Sequence, residues 1–139
     1  MPTESDENDH RKARGSRGER PAADHLREKG WRILATNYEK KIGELDVVAR
    51  RTGQLGPHEV DVVAFVEVKS RATSIDIPTE LNVTRRKRRK LITLAKLFLD
   101  DEDLDEVSAR FDIVTVDLSA DPPQLSHYPA AFDALARFN

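Results

Sequence analysis

The side chains best suited to chemistry are Asp46, Glu67 and Lys69. Residues 62–68 form a nearly unbroken apolar run, which predicts a strand buried on both faces. Glu67 and Lys69 stand at its C-terminal end and, being two apart, point to the same side. Ionised groups at the end of a buried strand are costly unless they are paired, hydrated or bound to a metal. Residues 43–49 predict a preceding strand, on which Asp46 takes a similar late position with Glu44 on the same face. Neighbouring strands lie about 4.8 Å apart, so Asp46 and Glu67 are placed to share one cation. Hard carboxylates with open positions suit Mg²⁺, or Mn²⁺ in its stead, with waters and phosphate oxygens as further ligands. Such an ion polarises a phosphodiester and activates water. Lys69 is within reach to orient that water or to stabilise developing negative charge.

Two further elements bear on this group. A helix is expected from Gly18 to Lys29, with Gly30 as its left-handed stop. Its apolar positions Ala22, Ala23 and Leu26 share one stripe, and Glu19 lies on that stripe, three residues before Ala22 and seven before Leu26. Glu19 therefore enters the reading as an additional metal ligand. The string Ser16-Arg-Gly-Glu19 also has the form of a capping box. A cap at Ser16 would put Pro21 past the first turn, where it removes a hydrogen bond and clashes, so Pro21 favours a start near Gly18. The second element is a helix expected from Thr84, with the apolar stripe Leu91, Leu94, Ala95 and Phe98. It opens on six consecutive cations, Arg85, Arg86, Lys87, Arg88, Arg89 and Lys90. Such neighbours repel one another and oppose the helix dipole, a cost that phosphates would relieve. Arg71 and this run are the expected nucleic-acid contacts. Each feature alone has a plainer account: a strand-end salt bridge, a solvated edge, a solvated helix face. The metal reading comes from their combination.

The elements that must position these side chains follow from the rest of the chain. Residues 31–37 predict a first strand, and residues 50–60, polar and containing Gly53, Gly56 and Pro57, a long hairpin loop. Residues 110–117 predict a strand reached through a helical crossover, hence parallel to its neighbour. Residues 125–128 are expected as a short edge strand, and 129–138 as a terminal helix with Pro129 in its first turn. The resulting class is α/β: a central mixed sheet flanked by helices, in the order α-β-β-β-α-β plus a short C-terminal strand and helix. Residues 1–16 read as a disordered polar tail and 17–139 as one domain. In 139 residues, 38% are hydrophobic and 35% charged, with a formal net charge of −2. The absence of cysteine excludes disulfides and thiolate metal sites. The four histidines show no ligand spacing. No apolar run approaches the roughly 20 residues that span a bilayer, and the acidic start is unlike a signal peptide. A cytoplasmic protein with no membrane contact is the default expectation.

The ordered motifs resemble a known family. They are Gly15-Ser-Arg-Gly-Glu19 with Ala22, Gly30-Trp-Arg-Ile-Leu34 with Asn37, Gly43-Glu-Leu-Asp46, and Phe65-Val-Glu-Val-Lys-Ser-Arg71. Val83-Thr84, the basic helix, Arg110-Phe-Asp-Ile-Val114 and the segment from His127 to Phe132 continue the pattern. Together they are similar to the YraN-like family of small bacterial proteins, over nearly the whole chain. The resemblance implies a restriction-endonuclease-like fold of the PD-(D/E)XK superfamily, similar to archaeal Holliday junction resolvases. It implies that Glu19, Asp46, Glu67 and Lys69 match the acidic and lysine positions of that core. The function expected is nucleic-acid binding with Mg²⁺-dependent cleavage of structured DNA. The alternatives are a non-catalytic nucleic-acid-binding module and a protein-interaction scaffold that uses the basic helix. Resolvase-like proteins often dimerise, so a homodimer is one expected assembly. Three positions depart from the family's pattern: Pro21 in the first helix, the long stretch 50–60, and Arg88 where relatives often carry glutamine.

Overall fold

A computed structural model describes residues 18–71 and 83–132. Among these, helix α1 covers 18–28. It is followed by β1 (Arg32–Lys40), β2 (Gly43–Leu55), β3 (His58–Arg71), helix α2 (Arg85–Asp101), β4 (Ser108–Asp117) and β5 (Gln124–Phe132). The five strands form one sheet in chain order. The β1–β2, β2–β3 and β4–β5 pairs are antiparallel, whereas β3 and β4, joined through α2, run parallel. This is the expected mixed α/β sheet flanked by helices, consistent with a restriction-endonuclease-like core.

Alternation along β3 explains its continuous apolar run. Val63 and Phe65 face one core with Leu91, Leu94 and Phe98 of α2, while Ala64 and Val66 face another with Ala22 and Leu26 of α1. A strand covered on both faces has no polar side to present. Glu67 and Lys69 continue the Val63–Phe65 parity, toward α2. Gly30, at φ 94°, ends α1 in the left-handed region as expected. The N-terminal limit of α1 and the tail before it lie outside the described residues. Most of the polar stretch between β3 and α2 does so as well.

Two expected boundaries need correction. Residues 50–60 are not a loop. β2 and β3 continue pairing to Leu55↔His58, leaving a two-residue turn at Gly56 and Pro57. Gly56 has φ 61°, which a tight hairpin requires at its first turn position. Arg50 donates two hydrogen bonds to Asp61 across this arm, at 2.9 and 2.8 Å. The arm projects into water on both sides, so its residues carry no alternation, and a solvated hairpin reads like a loop. The second correction concerns the C-terminal region: residues 129–132 are not helical. β5 is longer than the expected 125–128 and runs through Pro129 to Phe132. Its register shifts opposite Asp112, with Ala130 at φ 51°. Proline is tolerated in a strand at an edge or a bulge, and β5 is both. The remainder of the expected terminal helix, 133–138, lies outside the described residues.

Candidate metal centre and basic helix

The site gathers where β2 begins and β3 ends. The regular β2–β3 pairing runs to Val47↔Val66. Beyond it, the Asp46 carboxylate accepts the Val68 N–H at 2.8 Å, so a side chain stands in for a strand carbonyl. On the other side of β2, Asn37 of β1 interrupts the strand geometry with φ 54°, between the pairs Thr36↔Val47 and Tyr38↔Leu45. Asparagine is among the few residues that tolerate this conformation. The Asn37 side chain hydrogen-bonds Glu19.

Glu19 arrives from α1 and is only 7% exposed. Its helix approaches β3 so closely that a Cβ at Gly18 would sit 2.7 Å from the Ser70 Cβ and 3.2 Å from a Val68 methyl. Glycine at position 18 therefore sets the depth at which Glu19 enters. One carboxylate oxygen from each of Glu19, Glu44 and Asp46 lies within 4.8 Å of the others. Glu19 Oε2 is buried without a hydrogen-bond partner among the described residues. A buried carboxylate with one unsatisfied oxygen, beside two other carboxylates, is a donor set that a hard divalent cation would complete.

Charge repulsion is visible in the protonation equilibria. Burial, then the Glu67 charge, raises the Asp46 pKa to about 8; the Val68 N–H opposes the rise, and Glu19 and Glu44 add to it. Burial likewise raises Glu19, with Glu44 and Glu67 contributing and the Asn37 hydrogen bond opposing. Groups that resist ionisation because burial, and then neighbouring like charges, disfavour the charged form are those a cation would stabilise.

Glu67, 8% exposed, faces lysines instead. Its Oε1 is 2.6 Å from Lys87 Nζ and 3.9 Å from Lys69 Nζ. Burial, and then the neighbouring Lys87 charge, lower the Lys69 pKa, and Glu67 opposes this. For Lys87 burial works in the same direction, but the Glu67 charge and hydrogen bond prevail and raise it.

The basic run thus divides in two. Arg85, Arg86, Arg89 and Lys90 are exposed, while Lys87 and Arg88 are half-buried. These two continue toward the N-terminus the stripe of Leu91, Leu94, Ala95 and Phe98, because residues three and four apart share a helix face. Arg88 lies over the Phe132 ring, 5.5 Å from its centroid. Arg71 is half-buried at the end of β3, and its carbonyl accepts the Leu118 N–H at 2.7 Å.

Every sequence-proposed residue except Arg71, Arg85, Arg86 and Arg88 thus falls in one connected group of carboxylates and lysines. Glu44 and Asn37 had no assigned role, and Lys87 was expected as a nucleic-acid contact rather than as the partner of Glu67. Glu44 stood on the same predicted face as Asp46, a signal that was legible. Lys87 was indistinguishable from its five basic neighbours until the helix phase was known. Nothing in a single sequence marks Asn37 as the partner of Glu19.

The fold and the site together define a small α/β protein with a restriction-endonuclease-like mixed sheet and a carboxylate cluster between β2, β3 and the first helix. Comparison with known proteins gives the particular group. The chain belongs to the YraN-like family, described as uncharacterised protein family UPF0102, whose pattern matches residues 18–116. It is 34% identical to a UPF0102 protein of Geobacter metallireducens over 124 residues, 89% of this chain and 95% of the relative. A UPF0102 protein of Trichlorobacter lovleyi is 38% identical over 121 residues, 86% of this chain and 89% of the relative. One of Syntrophotalea carbinolica is 38% identical over 120 residues, 86% and 90% respectively. No helix among the described residues is long and apolar enough to cross a membrane.

Proposed function

We propose that this protein is a divalent-metal-dependent endonuclease acting on structured DNA, with its reaction centre at Asp46. The observation that carries the reading is the Glu19–Glu44–Asp46 oxygen cluster with an orphaned buried oxygen, set beside Lys69 and Lys87. Mg²⁺ or Mn²⁺ held among Asp46, Glu19 and the neighbouring carboxylates Glu44 and Glu67 would supply Lewis-acid stabilisation of a phosphodiester.

The chain's own residues account for the remaining requirements. Lys69, with its depressed pKa, is suited to orienting a water or meeting charge that develops on the phosphate. The α1–β3 contact at Gly18 and the Asn37 hydrogen bond hold Glu19 in place before any ligand arrives. Arg85, Arg86 and Arg89, exposed on the first turns of α2, lie on the helix that carries Lys87 into the site. There they offer charge to backbone phosphates flanking the scissile one.

The test is cleavage of a panel of branched, single-stranded and duplex DNAs with Mg²⁺ or Mn²⁺. The expected outcome is cleavage by the wild type and a fall to the metal-free background in Asp46→Ala. Equal cleavage by that variant overturns the assignment. Retention of the DNA without cleavage by the wild type identifies a binding module instead. A triple neutralisation, Arg85→Gln, Arg86→Gln and Arg89→Gln, is expected to flatten the salt dependence of binding by roughly 0.9 log units per lost phosphate contact.

A further inference from the structure

The sheet face that α1 covers continues past the end of that helix, and there it carries a cleft of about 620 Å³ at the root of the β2–β3 arm. Side-chain alternation brings its walls together. Arg51, Gly53 and Leu55 keep the parity of Val47 and Ala49 on β2, and Val60 and Val62 that of Ala64 and Val66 on β3. Arg110 keeps the parity of Val114 and Val116 on β4, and Trp31 closes the helix side. Arg51 stands five residues along β2 from Asp46, about 17 Å at the rise of a strand. The cleft is therefore separate from the metal centre.

Its chemistry is one-sided. Lys29, Arg51 and Arg110 line it, and none of the lining residues is a carboxylate. The Trp31 ring positions the two guanidiniums, Arg51 5.9 Å and Arg110 5.1 Å from its centroid. Trp31 is only 6% exposed, so its indole supports the arginines rather than offering a free face. Asp112 compensates Arg110 with a pair at 2.8 Å, whereas among the described residues no carboxylate pairs with Arg51. The opposite wall is apolar: Val60, Val62 and Leu55, the last 71% exposed at the arm's tip. Cations along one side and an apolar surface along the other match a nucleotide, with its phosphate on the first and its base on the second.

We infer that this cleft binds an unpaired nucleotide of a DNA strand, with the phosphates on Arg51 and Lys29 and the base against Leu55, Val60 and Val62. This goes beyond the cleavage reading and needs no metal. The volume lies within the range of about 300–1,000 Å³ typical of sites that enclose a small organic group, so one strand enters and a duplex does not. A strand rather than a free nucleotide fits because the cations are spread out. Arg51 and Arg110 rise from β2 and β4 with β3 between them, about 9.6 Å apart at the spacing of a sheet, and Lys29 comes from the end of α1. Cations distributed in this way follow successive phosphates along a backbone. Gly53 keeps the cleft open: a Cβ there would meet only a Val60 methyl, at 4.0 Å, so a larger side chain would fill the space without displacing the strand.

Trp31 is the one tryptophan of the chain, so its fluorescence reports on this cleft and not on α2. Titration of the full-length protein with a short oligothymidylate in the presence of EDTA tests the inference, with circular dichroism melts confirming that each variant folds. The wild type should show a saturable change in Trp31 emission, with an affinity that falls as salt rises. Arg51→Gln and Gly53→Leu should each weaken binding about tenfold, the first by removing a charge-assisted phosphate contact and the second by filling the cleft. Thymidine monophosphate and polyglutamate are the comparison probes. Equal or tighter binding of thymidine monophosphate overturns the strand as occupant, and an equal response to polyglutamate overturns the nucleotide. Wild-type affinity in folded Gly53→Leu overturns the placement in this cleft. A flat signal with every probe overturns the inference and leaves the metal-dependent cleavage reading standing.

Discussion

Asp46 and Asp112 are both drawn into the sheet, and both do the same local job: each carboxylate accepts a backbone N–H where strand pairing is interrupted. Asp46 takes the Val68 N–H at 2.8 Å, and Asp112 the Ala130 N–H at 3.0 Å at the β5 bulge. Their surroundings are opposite. Asp112, 1% exposed, accepts two hydrogen bonds from Arg110 at 2.8 Å each and one from His127 Nε2 at 2.7 Å. Arg110 is itself 5.1 Å from the Trp31 ring centroid. Burial would raise the Asp112 pKa, but these hydrogen bonds outweigh it and hold the carboxyl below its ordinary value. Around Asp46 stand Glu19, Glu44 and Glu67, and its pKa rises to about 8. A buried carboxylate with its counter-ion Arg110 and its hydrogen-bond donors built in closes a fold. One whose neighbours are other carboxylates leaves a charge for something from solution to complete.

The largest effect separating the two is on stability. Asp112→Ala strips Arg110 and His127 of their buried counter-charge and is expected to cost about 3–5 kcal/mol. Asp46→Asn keeps an oxygen for the Val68 N–H and spares the folded state the cost of holding a proton that the unfolded chain releases, so in metal-free protein it should be neutral or stabilising. Urea unfolding of both variants measures the contrast, and equal destabilisation would break the comparison.

The next effect is on pH dependence. Between its ordinary 3.8 and about 8, Asp46 keeps a proton in the folded state that the unfolded chain has released. Its contribution is therefore fully present below pH 3.8 and declines as pH rises toward 8. Asp112, with a depressed pKa, contributes in the other sense: its stabilisation is present above the unfolded value and is lost on acidification. In metal-free protein, unfolding free energies measured from pH 5 to 8 should fall relative to those of Asp46→Asn. Saturating Mn²⁺ should flatten that difference, and a difference that persists unchanged with metal argues against a cation at Asp46.

A smaller effect sharpens the comparison at its mechanical support. Gly18→Ala places a methyl against Ser70 and is expected to cost about 1–3 kcal/mol through overpacking. It should also lower Mn²⁺ affinity, because α1 carries Glu19. Destabilisation with unchanged affinity would show that Glu19 is not part of the ligand set.

Legibility differed with the physical origin of each feature. Residues 62–68 announced a doubly covered strand because every position meets a core, and Gly30 announced the end of α1 because few residues other than glycine settle at its positive φ. The parallel step from β3 to β4 followed from the length of the intervening helix. The hairpin arm 50–60 was hidden because both its faces meet water, and β5 because Pro129 and Ala130 belong to a bulge stabilised from Asp112, on another strand.

At the site, the sequence by itself determined which residue types are present, and that Glu67 with Lys69 and Glu19 with Leu26 share faces. Strand and helix periods are local properties of the backbone. Only the tertiary structure decided that Glu44 joins Asp46 and Glu19, that Asn37 holds Glu19, and that Lys87 alone of six consecutive cations meets Glu67. Those pairings depend on the angle and depth at which α1 and α2 settle on the sheet, which packing across the whole core sets.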